Sequence, residues 1–550
     1  MTGRRLAQID ARNTIPRRLV EQAGRHGAKA LVRFPREGEM LSYQDLVAHA
    51  EAGAARLRQE FGLQAGAAAA LYLGNSADYV KAWFSCMFAG LVDVPINHEF
   101  RKTTLLFGLA TVGAQAAFTD GEGVACLLDP EVRDYLRHIK VLVLAGRYEL
   151  QAVRQALAAV AHAPAVVELA ALTEPGPAAS PWTAIEATAP ALIRFTSGTT
   201  GPAKGIVQSH LHVLSKAAVH NEVLEYAEAD VLYSPFPLHH NLASINGLIG
   251  TLHAGGTFVS VPKFSASRFW LEARDNGATL AHLLRGVAPL VAAQPPAASD
   301  RQHRVRYLWA GQPNRAFEER FNTRFVQIYA LGEVGVISYM RGGPEGTASA
   351  GYPLPEMDVR IVDALDRPVA AGVVGEITVR PLAPHRVMLC YHENLPATAR
   401  AFRNLWFHTG DGGYLGEDGQ LYFSGRLGDT IRRRGVNISS EQVESELRRH
   451  PSVRDCAVIA VPSETGEQEI HACIQWESEP DDIAAAYEDL AAFMSDRLPK
   501  VYVPRFLETV DDLPRTHTGK VRKAALRERA RFGTTWDRER RSWLNHNPHQ

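Results

Sequence analysis

The sequence predicts an α/β protein, with a large N-terminal domain of α/β subdomains plus a β-rich subdomain, followed by a small C-terminal α+β domain. Three observations lead there. At 550 residues the chain is too long for one ordinary hydrophobic core, so more than one domain is required. In the first half, short apolar runs alternate with helix-period segments, as buried parallel strands and their crossover helices do. Near residue 350, and again beyond Gly428, the texture changes.

Taken in order, GAAAALYLGN (66–75) is an apolar run closed by Gly-Asn, and DYVKAWFSCMFAGLVDVPIN (78–97) reads as a helix leading into another strand. KVLVLAG (140–146) repeats the strand pattern. LTEPGPAASPWTAIEATAP (172–190), rich in Pro, Ala and Ser, is connecting chain before the strand ALIRFT. HAGGTFVSVPKF, RVRYLWAGQP and RFVQIYALGE each place a β-rich run before a glycine or polar turn, and α/β sheets bind ligands at such strand ends. Residues 350–428 read as the β-rich subdomain, with shorter strands and frequent turns. In 429–528, SSEQVESELRRHPSV and DDIAAAYEDLAAFMSDRL read as helices, with DCAVIAVPS and EIHACIQWES as strands. The first domain thus spans 1–428, the second 429–528, and 529–550 is expected to be a polar, loosely held tail.

Composition narrows the function. The 59 basic and 60 acidic residues nearly cancel, so no long-range field favours nucleic acid or an anionic membrane. Small-molecule partners are expected instead. Cys86, Cys126, Cys390, Cys456 and Cys473 are scattered, without a CxxC pair, which argues against a disulfide framework and a zinc site. No run of 18 apolar residues occurs, and no apolar stretch follows the N-terminal arginines. A cytoplasmic protein without a membrane span is the expectation, and a homodimer is an allowed assembly.

Four stretches carry chemistry: TSGTTGPAKG (196–205), YALGE (329–333), WFHTGDGGYLGEDGQLYFSGRLGDTIRRRGVNIS (406–439) and PRTHTGKVRK (514–523). The first combines glycines, hydroxyls and a lysine as a phosphate cradle does, yet Lys204 lies between Ala203 and Gly205 and lacks the Gly-Lys-Ser/Thr ending of a nucleotide-hydrolase P-loop. Together and in this order the four resemble the AMP-forming acyl-adenylate superfamily, which includes acyl-CoA synthetases, aryl-acid adenylating enzymes, peptide-synthetase adenylation domains and luciferases. The resemblance covers roughly residues 40–528.

The resemblance implies that the first stretch holds the β- and γ-phosphates of ATP while a carboxylate attacks the α-phosphorus. Two unit charges at 4 Å repel by about 4 kcal/mol at an effective dielectric near 20, so donors and cations must offset the approach. Thr196, Ser197, Gly198, Thr199, Thr200, Gly201 and Lys204 are the donors it implies. Tyr329 would stack on adenine, and Glu333 would bind Mg²⁺, a hard cation that prefers oxygen. Taken alone, Tyr329 reads as core and Glu333 as a solvated carboxylate. Gly311 would let the backbone approach the nucleotide or the acid. Asp411 would accept from both ribose hydroxyls, Arg426 would contact ribose or the α-phosphate, and Lys520 would supply charge to the forming adenylate. Asp429 is the implied hinge, about which a mobile small domain turns to bring Gly435 and the RRGVNIS face to the acceptor; Arg432, Arg433 and Arg434 are read there either as coenzyme A phosphate ligands or as a solvated face.

The stretch SPFPLHHNLASINGLIG (234–250) corresponds to the acid pocket, to which Ala310 and Leu331 also belong. It has no aspartate to pair with an α-amino group, so an α-amino acid is disfavoured. His240-Asn241 resembles the pair of aryl-acid enzymes, although His240 also fits a gate or a core histidine. The sequence departs from the family at Ala203, Gly332, Gly428 and Val436, where proline, threonine, lysine and an acidic residue are usual. Coenzyme A is the leading acceptor; a carrier protein, or a nitrogen nucleophile of secondary metabolism, stays open.

Overall fold

The computed structural model describes residues 13–158, 160–174, 181–195, 204–284, 286–309, 313–344, 349–427, 430–433, 436–463, 468–498, 500–516, 519–529 and 534–545. Among them the chain is mixed α/β, with a large N-terminal part of several sheets and a separate C-terminal unit. One large sheet runs in the order Cys390–Tyr391, Gly205–Ser209, Pro190–Phe195, Val92–Pro95, Ala68–Tyr72, Ala116–Thr119, Val141–Leu144, Ala165–Glu168. Its last six strands are parallel, and the first two pairings are antiparallel. The second sheet is parallel from Ala30–Phe34 through Thr257–Ser260, Val231–Ser234, Leu280–His282 and Tyr307–Trp309 to Arg324–Leu331.

Helices Ala77–Phe88 and His210–Leu224 are buried nearly all round, and their side chains join a core drawn from both sheets. A helix apolar on every side has no solvent face to offer and therefore lies within the core. Serines start both: Ser76 Oγ accepts from Tyr79 N at 3.2 Å, and Ser209 Oγ from His212 N at 3.1 Å. The second ends at Glu225, in left-handed conformation (φ 53°). A four-stranded antiparallel sheet follows, Met357–Val362, Gly375–Pro381, Phe407–Leu415 and Leu421–Arg426 in that order, with Asp411 registered opposite Arg426.

The C-terminal unit is a five-stranded sheet of Val453–Pro462, Gln468–Trp476, Phe506–Thr509, Thr534–Asp537 and Ser542–Asn545, with its own core. Two expectations are corrected here. Residues 534–545 are not a loose tail but the last two strands of this sheet, because Trp536 and Trp543 stack edge to face at 5.3 Å, Trp536 is buried and Trp543 lies 6.2 Å from the Tyr487 ring. Arg433 belongs neither to a solvated face nor to a phosphate site. It is 1 % exposed, pairs with Glu469 at 2.5 Å and Glu539 at 3.1 Å, and donates to the carbonyls of Val501 and Val503. A buried guanidinium requires such partners, which leaves none of its charge for a ligand. No helix among the described residues is long and apolar enough to cross a membrane.

Candidate active site

Three of the residues singled out in sequence stand at strand ends: Tyr329 and Leu331 in Arg324–Leu331, and Arg426 at the end of Leu421–Arg426. Tyr329 lies near the end of Arg324–Leu331, where a register shift between Tyr329 and Ala330 breaks the pairing with Gly335–Arg341. Its ring is buried, 5.8 Å from Phe423, and its hydroxyl donates to Asp411 Oδ2 at 2.6 Å. Arg426, placed opposite by strand register, pairs through Nε with Asp411 Oδ1 at 2.8 Å. Burial pushes the Asp411 carboxyl above the usual range, while Arg426, Tyr329 and Lys520 pull it back. The cluster thus sets a buried carboxyl group between the Tyr329 hydroxyl and the Arg426 guanidinium.

Lys520 is presented by the other unit. Thr516 N donates to the Lys520 carbonyl at 2.7 Å and Gly519 N to the Thr516 carbonyl at 2.8 Å, closing a turn that needs the left-handed Gly519 (φ 80°). The side chain remains solvent-accessible, yet close enough to feel Arg426 and Asp411. Desolvation, with Arg426 beside it, lowers its ammonium below the usual range; Asp411 and Glu441 oppose this. The structure therefore brings Lys520, Arg426, Asp411 and Tyr329 together from positions nearly two hundred residues apart.

Glu333 stands in the turn after Leu331. Its Oε1 accepts from Tyr391 Oη at 2.9 Å and its carbonyl from Met388 N at 2.7 Å. Lys204 Nζ sits 4.9 Å from the centroid of the same Tyr391 ring. Tyr391 thus bridges Lys204 and Glu333, a contact sequence reasoning missed; an aromatic in a two-residue strand carries no local signature. Also missed was Lys216, whose Nζ donates to the Gly332 carbonyl at 2.8 Å and to Gln208 Oε1 at 3.2 Å. Burial pushes this amine down to about 7, Arg194 adds to the shift and Glu333 opposes it.

His240 and Asn241 sit at the start of a π-helix, Leu242–Ile249, a form that recurs at functional sites. His240 is exposed, and its Nδ1 accepts from Leu242 N at 3.4 Å, so it is not a core histidine. Asn241 Oδ1 is buried without a hydrogen-bond partner among the described residues. A Cβ on Gly332 would stand 2.9 Å from Ile206 Cδ1 and 3.9 Å from Asn241 Nδ2, so glycine there lets Ile206 pack closely against the glutamate turn beside Asn241. Leu331 is half-buried beside it. Thr196, Ser197, Gly198, Thr199, Thr200, Gly201, Ala203, Ala310, Gly311, Gly428, Asp429, Arg434 and Gly435 lie outside the described residues, as does the side chain of Arg432.

Residues 19–392 match the family model described as AMP-binding enzyme, and 442–520 that of the AMP-binding enzyme C-terminal domain. Crotonobetaine/carnitine-CoA ligases of Salmonella paratyphi A and Escherichia coli O139:H28 are each 28% identical to this chain, over 86% of it and 90% of their own length. The anthranilate CoA ligase AuaEII in complex with anthranoyl-AMP superposes with a TM-score of 0.81 at 20% identity, over 96% of this chain and 99% of that one. The o-succinylbenzoate coenzyme A synthetase of Bacillus subtilis, with AMP, gives 0.74 at 22%, over 92% and 97%. The chain belongs to the AMP-binding enzyme family, within the AMP-forming acyl-adenylate superfamily, and is an enzyme of its acid-thiol ligase type.

Proposed function

We propose that the protein joins a carboxylic acid lacking an α-amino group to coenzyme A in two half-reactions at one site. In the first, a carboxylate oxygen attacks the α-phosphorus of MgATP, the bond to the β-phosphate bridging oxygen breaks, and pyrophosphate leaves. In the second, the thiol sulfur attacks the acyl carbon and AMP departs. The observation that carries this reading is the meeting of Lys520 with the Asp411–Arg426–Tyr329 cluster. A nucleotide whose ribose hydroxyls bind Asp411 would place its α-phosphate toward two cations, where negative charge accumulates.

Each residue then has a task. Tyr329, fixed through its hydroxyl, offers a ring face to adenine, and Arg426 holds Asp411 while facing the phosphate. Glu333, its Oε1 held by Tyr391, is a single hard carboxylate of the kind that suits Mg²⁺, which keeps waters and phosphate oxygens in its shell and neutralises phosphate charge when bound with ATP. Lys204 and the 196–201 loop hold the departing pyrophosphate. Asp429 and Gly435 remain the hinge and the acceptor face.

For the acid we propose a ring-bearing substrate. Asn241 supports it, since its buried Oδ1, without a hydrogen-bond partner among the described residues, would accept from a ring hydroxyl or amine. Mass spectrometry of products from MgATP, coenzyme A and a pooled panel of aryl, cinnamic and aliphatic acids tests the whole reading. An acyl-CoA is expected, whereas acyl-AMP that persists beside coenzyme A moves the acceptor to a carrier protein or a nitrogen nucleophile. Asn241→Leu is expected to lower kcat/KM for ring-hydroxylated acids about tenfold relative to unsubstituted ones; equal loss for all makes Asn241 structural. Gly332→Ala should raise KM for ring acids about tenfold, leaving KM for ATP unchanged, because the new methyl, 2.9 Å from Ile206 Cδ1, displaces that side chain beside Asn241.

A further inference from the structure

Behind the π-helix lies a group of buried polar side chains that the reaction above does not use. Along the strands Val92–Pro95 and Pro190–Phe195, neighbours of Asp93 and Arg194 (Val92, Val94, Ile193) pack into one core, whereas Leu192 packs into the other, with the helix Ala77–Phe88. Strand alternation therefore turns Asp93 and Arg194 toward that helix. Tyr79 and Trp83 stand on it, their rings 6.4 Å apart, and Tyr79 feels both Asp93 and Arg194.

All four are nine-tenths or more buried, yet Asp93 Oδ1 and Oδ2, Tyr79 Oη, Trp83 Nε1 and Arg194 Nε have no hydrogen-bond partner among the described residues. Leaving such a group buried and unpaired is costly, so five of them between these strands and this helix mark a position suited to something polar. Arg194 also ties it to the acid pocket: its Nη2 donates to Ser244 Oγ at 2.8 Å and its Nη1 to the His239 carbonyl, both in the segment that carries Asn241.

We propose that these groups form the far end of the acid pocket and receive an uncharged hydrogen-bonding group, a hydroxyl or primary carboxamide, borne by the substrate acid at the end remote from its carboxylate. This rests on the acyl-adenylate reading. The chemistry selects the class. A hydroxyl donates to Asp93 and accepts from Arg194, Tyr79 or Trp83. A second carboxylate meets Asp93, an ammonium meets Arg194, and an alkyl or aryl terminus leaves all five atoms unpaired.

Acid-dependent ATP–pyrophosphate exchange tests this without requiring coenzyme A. The probes are cinnamate against 4-hydroxycinnamate and hexanoate against 6-hydroxyhexanoate and hexanedioate, each with the wild type and with Tyr79→Phe/Asp93→Asn. The hydroxylated member is expected to win by at least about tenfold in kcat/KM in one or both pairs, since a site built to bind a hydroxyl rejects its analogue. The double variant should collapse that ratio while leaving KM for ATP unchanged. Equal rates within both pairs, a ratio that persists in the variant, or a preference for hexanedioate overturns the proposal and leaves these groups to structural water or another class. If no acid drives exchange, the acyl-adenylate reading falls with it, an outcome distinct from exchange that ignores the remote group.

Discussion

Replacing Lys520 with alanine is expected to slow acyl-adenylate formation by about 10²- to 10³-fold, the range for removing one preorganised charge donor from a transition state. Transfer from synthetic acyl-AMP to coenzyme A should stay within about threefold of wild type, about 0.6 kcal/mol. The split follows from where the lysine comes from. It arrives on a turn of the C-terminal unit, held by Thr516 and Gly519, and owes its place beside Asp411 and Arg426 to the seating of that unit. In the proposed two-step reaction that seating is no longer needed once the adenylate exists. Rapid-quench measurement of pyrophosphate release and of thioester formation from acyl-AMP separates the steps; equal loss in both would remove the division of labour. Lys520→Arg should recover little, because a planar guanidinium does not replace a compact ammonium.

Asp93→Asn is expected to become progressively more favourable to stability, relative to wild type, as pH rises from 5 to 8. Burial pushes the Asp93 carboxyl up to about 7, with Arg194 opposing, and Tyr79 and Cys86 are the other titratable groups facing it. In the unfolded chain an aspartate releases its proton near 3.9. Between those values the folded state holds a proton that the unfolded state has lost, so rising pH destabilises the fold by about 1.4 kcal/mol per unit, until the effect saturates above 7. The gap between variant and wild type should therefore widen by roughly 2–3 kcal/mol from pH 5 to 8. Chemical denaturation of both proteins at the two pH values measures it. A constant gap would mean that Arg194 already holds Asp93 ionised in the folded state.

The sequence by itself determined the α/β class and the separate C-terminal unit, and it singled out Tyr329, Asp411 and Arg426, which the fold joins in one cluster. It could do so because periodicity and glycine-rich turns are local properties, and because YALGE, HTGDGGY and THTGK keep their residues in short runs. It misjudged residues 534–545 and Arg433, whose polar neighbours suggested solvent; two tryptophan contacts and two glutamates distant in sequence decided otherwise. Tyr391, Lys216 and the buried Asp93–Arg194 group were silent for a related reason. Their meaning lies in partners between 58 and 116 positions away, or on different strands, and only the packing of two sheets against two buried helices brings such groups into register. Local pattern fixes which way a side chain points along its own element; what it meets there is set by the tertiary fold, because burial leaves a polar group only the partners that the surrounding elements provide.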